Sequence, residues 1–91
     1  METLQPLQVY NKQTERLGAI VSKLDKHNVP FAPMKETFTE AYASLRALWT
    51  TMMYASIIKD EEIPQIILKE VIKDVDNFEK HAEIAIKVVM N

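Results

Sequence analysis

The chain offers only two imidazoles, His27 and His81, and no cysteine, so the side chains that most often act as general base or nucleophile near neutral pH are almost absent. Neither histidine sits in a recognisable constellation. The His-Glu-x-x-His spacing of zinc hydrolases is missing, and the residue three before His81 is Phe78 rather than the glutamate that a di-iron bundle requires. The single glycine, Gly18, excludes both the phosphate loop and the dinucleotide fingerprint, which need several. Asp74, Asp76, Glu79 and Glu83 crowd one region. Their spacing to Lys80 and Lys87, with Asp76 and Glu83 each four residues ahead of a lysine, fits a solvated helix face whose pairs contribute ~0.2–0.5 kcal/mol each. The expectation is a non-enzyme with no cofactor and no metal.

What remains is the chemistry of recognition. Lys12, Arg16 and Lys23, with Lys26 at their edge, fall on one side of a helical wheel and form the only coherent basic stripe. Such a stripe can touch phosphates, but four charges on a chain of net charge −2 are a small electrostatic footprint. Nucleic-acid association is therefore the alternative and not the leading expectation. The richer signal is the segment LRALWTTMMYASII, positions 45 to 58, where Arg46 is the only charge. Arg46, Trp49, Met53 and Tyr54 are residue types that concentrate at the centres of protein interfaces.

These residues need elements to hold them. One glycine in 91 residues argues against hairpins and tight α/β turns, and prolines at 6, 30, 33 and 64 punctuate three long segments. The sequence predicts a single all-α domain over 1–91. It is expected to be an antiparallel up-down-up three-helix bundle with helices at about 6–28, 33–59 and 62–90. Apolar residues at three- and four-residue steps give each helix a core stripe. In the first it is Leu7, Tyr10, Thr14, Leu17, Val21, Leu24 and Asn28; in the second Met34, Phe38, Ala41, Leu45, Leu48, Met52 and Ala55; in the third Leu68, Val71, Val75, Phe78, Ala82, Ala85 and Val89. Asn28 suits a left-handed cap, Phe31 is expected to pin the first crossover to the core, and Gly18 allows either a close helix crossing or a tolerated mid-helix glycine.

On the second helix, Tyr42, Arg46, Trp49, Met53 and Ile57 centre about 110° from the core stripe. A middle helix touching two neighbours accounts for that second front. It does not account for Ala47, Tyr54 and Ile58, which point away from both. Ile66, Ile84 and Val88 similarly leave the core stripe of the third helix. Surplus apolar surface on two helices predicts self-association, with a dimer favoured, or a protein partner. The expected interface is Arg46, Trp49, Met53, Tyr54, Ile57, Ile58, Ile84 and Val88.

Ala41 to Ile58 approaches the length of a membrane span, but Arg46 near its middle costs ~2.5–3.5 kcal/mol on insertion. Spanning is disfavoured, and a peripheral-membrane, immunity-type bundle is a further alternative. With no cysteine, and with a start that lacks the basic-then-apolar pattern of a leader, the expected location is cytoplasmic. In size and helical build the chain resembles small accessory proteins of phages or bacteria that act by binding, such as inhibitors, adaptors, immunity proteins and assembly factors. That likeness is one of build and carries no motif.

Overall fold

A computed structural model describes residues 3–58 and 63–90. They form a three-helix bundle without strands: α1 over Pro6–Lys26, α2 over Lys35–Ile58 and α3 over Gln65–Met90, with a short 3-10 turn, Ala32–Met34, leading into α2. Pro6 opens α1, where a missing N–H costs nothing because first-turn donors have no partner within the helix. The expected start of the third helix at 62 falls outside the described residues. Ile63 and Pro64 are not helical, and α3 begins at Gln65.

The first helix ends two residues short of the expected 28 because Asn28 takes φ 55 and turns the chain. The Asn28 N–H donates to the Asp25 carbonyl at 3.0 Å and the Val29 N–H to the Leu24 carbonyl at 3.0 Å. This is a Schellman motif, and the buried pair Leu24 and Val29 supplies the apolar contact that accompanies it. Beyond it the Met34 N–H donates to the Phe31 carbonyl, and Met34 drops into the core. Phe31 itself is exposed at 38%, and it pins the crossover edge-on against Phe38 rather than from inside.

Residues Ala41, Leu45 and Leu48 of α2 and Leu68, Val71, Val75, Phe78 and Ala82 of α3 form the centre, as their spacing predicts. Ile86 takes the last buried place of α3, whereas Val89, expected in the core, is exposed because it lies beyond the end of the packed region. Phe78 is fully buried and meets Phe38 edge to face with ring centroids 5.5 Å apart.

The stripe expected on α1 needs correction. Val9, Gln13, Leu17, Ile20 and Leu24 are its buried residues, while Leu7 and Thr14 are exposed and Tyr10 and Val21 sit at the edge. The helix is rotated toward α3, with which it packs more extensively than with α2. Its α2-facing edge stays partly open. Gly18 lies in open space with no heavy atom near the position of a Cβ, so it serves no close crossing.

Two polar devices hold α1 to α3. The Gln65 side chain accepts a hydrogen bond from the Leu4 N–H at 2.9 Å and donates one to the Leu4 carbonyl at 3.1 Å. Gln13, buried at 4%, accepts from the Arg16 guanidinium at 2.9 Å, and the same guanidinium reaches Asp76 at 2.5 Å and Glu79 at 2.9 Å. On the opposite side the Ser44 hydroxyl donates to the Asp74 carboxylate and ties α2 to α3.

Candidate interaction surface

The weakest of the three helix contacts, between α1 and α2, leaves an apolar seam along the outside of the bundle. At one end Phe38 stacks beside Tyr42, their rings 6.2 Å apart, with Phe31 across them. Midway, Tyr10 of α1 meets Trp49 of α2 at 5.1 Å. At the other end Leu7, Trp49, Met52, Met53 and Ser56 line an open groove. Tyr42, Trp49 and Met53 are exposed by 50, 46 and 52%, and Leu7 by 58%, so the seam is half core and half surface.

The physical origin is the four-three-four spacing of Tyr42, Arg46, Trp49 and Met53, which holds these residues on one face of α2 over about 16 Å of helix. The helix also presents less polarity than its composition suggests. The Thr39 hydroxyl donates to the Lys35 carbonyl and the Thr51 hydroxyl to the Ala47 carbonyl, so both turn a hydroxyl back onto their own helix. Arg46 is exposed on this face and forms no ion pair among the described residues.

The other expected interface residues divide. Tyr54 is exposed at 59%, and Ile84 and Val88 are exposed on α3, so each is available to a partner. None of them lines the groove formed by Leu7, Trp49, Met52, Met53 and Ser56. Ile57 and Ile58 belong to α2, but their side chains lie outside the described residues. Leu7 belongs to this surface although the sequence stripe had placed it in the core. Tyr42 also belongs, and its place in the second front of α2 is the signal that reveals it. Ile66 is exposed beside a shallow apolar cleft that it lines with Ser44, Ala47, Ile67 and Glu70.

The basic stripe does not stay together. Lys12, Lys23 and Lys26 are exposed, but Arg16 turns to the acidic side of α3. Burial works against its positive charge, yet Glu79 and Asp76 outweigh that and raise its pKa above the ordinary arginine value. Asp76 thus serves Arg16 rather than the Lys80 expected from spacing, and Glu83 and Lys87 do not pair either among the described residues. His81 Nδ1 lies 2.8 Å from the Asn77 carbonyl of its own helix, and His27 caps α1 through its backbone N–H. No group of three potential metal ligands converges among the described residues, and no described helix is long and apolar enough to cross a membrane. The chain matches no protein-family model, no curated protein and no solved structure.

Proposed function

We propose that the protein acts by binding protein surfaces rather than by catalysing a reaction, and that self-association is part of that action. A cytoplasmic inhibitor, adaptor or assembly factor fits this description. One observation carries the reading: a seam whose aromatic and thioether side chains are each about half exposed runs along α2, and contiguous apolar patches of this kind are often functional. Interface centres favour these residue types, and Arg46 in their midst supplies the cation that hot spots often contain. Tyr54, Ile84 and Val88 offer further apolar contact on other faces.

The experiment is multi-angle light scattering of the wild type, Trp49→Ala and Tyr54→Asp at micromolar concentration, with circular dichroism to follow the fold. The expected outcome is a concentration-dependent dimer that at least one substitution weakens while the helices persist. A strict monomer whose variants keep both fold and every binding activity would end this reading.

A further inference from the structure

We infer that a second copy of this chain covers the α1/α2 seam, with the two α2 helices antiparallel and crossing between Arg46 and Trp49. This rests on the self-associating reading above and specifies its face and register. The argument begins with spacing. The steps from Tyr42 to Arg46 to Trp49 to Met53 are four, three and four, a sequence of steps that is the same in both chain directions. Two antiparallel copies therefore bring Tyr42 opposite the second copy's Met53, and Arg46 opposite the second copy's Trp49. By two-fold symmetry each contact occurs twice.

The chemistry matches the register. A guanidinium over an indole face is a cation–π contact, and a thioether beside a phenol ring is a favourable sulfur–aromatic one. Arg46 has no carboxylate partner among the described residues, so the indole of the other copy supplies the electron-rich surface that its own chain withholds. A parallel arrangement of the same helices fails on charge, because it sets the two Arg46 side chains against each other. The second copy's Tyr42 also arrives beside the groove formed by Leu7, Trp49, Met52, Met53 and Ser56, which is open to receive it.

The area is that of a small interface. Three half-exposed large side chains with Leu7 offer roughly 400 Å² per copy, and the polar rim of Thr39, Thr50 and Ser56 adds on the order of 200 Å², below the about 800 Å² per partner of a standard interface. Such an interface suits a reversible dimer.

The chain contains no cysteine, which makes cross-linking unambiguous. Tyr42→Cys and Met53→Cys, both at exposed positions, are mixed and mildly oxidised; the mixture is expected to link covalently, while each variant alone does not. Arg46→Glu, also exposed, is expected to weaken the wild-type dimer by about tenfold or more with an unchanged helical spectrum. Self-linking of either single variant, or a dimer indifferent to Arg46→Glu, overturns this register. Linking only through Tyr54→Cys or Ile84→Cys does so too, and leaves the self-associating reading intact. A wild type that is monomeric at high micromolar concentration overturns both.

Discussion

The Trp49 ring lies 5.1 Å from that of Tyr10 at an interplanar angle of 36°, and this aromatic pair bridges α1 and α2 where their packing is slightest. Nearly half of the indole still faces outward. Trp49→Ala should therefore cost about 2 kcal/mol, roughly half the ~3–5 kcal/mol of a fully buried large aromatic. Urea denaturation followed by circular dichroism measures this. A loss as large as that of a core aromatic would show that the indole is more enclosed than the seam geometry allows. Tyr10→Leu, which keeps apolar bulk, should cost less than Trp49→Ala.

Arg16 joins a buried amide to two partly exposed carboxylates, so its removal and theirs should not be equivalent. Arg16→Ala leaves the Gln13 acceptor without its donor and is expected to cost about 1–3 kcal/mol, whereas Asp76→Asn, at a side chain 57% exposed, should cost about 0–1 kcal/mol. Equal losses would contradict the arrangement. The raised pKa of Arg16 means its contribution is complete below the ordinary arginine range and fades only above it. Between about pH 5 and 10 this guanidinium should add no slope to stability, and salt rather than pH should weaken the ion pairs.

Gly18 sits in the interior of α1 with free space where a Cβ would stand. Gly18→Ala should therefore stabilise the chain by about 0.5–1 kcal/mol by restricting the unfolded backbone without a clash. A fall in thermal midpoint would mean that something does approach this position.

Asn28 occupies the left-handed region at the end of α1. Replacing it with glycine should be neutral or slightly stabilising, and replacing it with valine should cost about 1–2 kcal/mol, because a β-branched side chain resists positive φ. The order glycine, asparagine, alanine, valine in denaturation midpoint is the expected series.

Spacing located the centre of α2 and α3, because Ala41, Leu45 and Leu48 form a wholly apolar line whose rival on α2 carries Arg46, and Leu68, Val71, Val75 and Phe78 form the longest apolar line of α3, although it named Val89 where Ile86 is buried. On α1 two lines compete. Leu7, Tyr10, Leu17, Val21 and Leu24 share Leu17 and Leu24 with the observed line through Val9, Gln13 and Ile20. Choosing between them requires knowing that α3, not α2, takes most of the contact. The same missing information hid Arg16, whose acidic partners lie 60 and 63 positions further along the chain. The exposed apolar residues of α2 were legible because no two-neighbour packing could bury three directions of one helix. Leu7 was not, since a leucine on a core-like stripe gives no sign that the seam beside it is open.

The paired hydrogen bonds between Leu4 and Gln65 act as a latch at the end of α1 opposite the Asn28 turn, which acts as the hinge. Because α2 and α3 share the largest contact, α1 is the helix expected to loosen first, from the latch end toward the better buried Leu17, Ile20 and Leu24. The amides of α1 should then exchange with solvent ahead of those at the centre of α3, and Gln65→Ala should speed exchange at the start of α1 before it reaches the core.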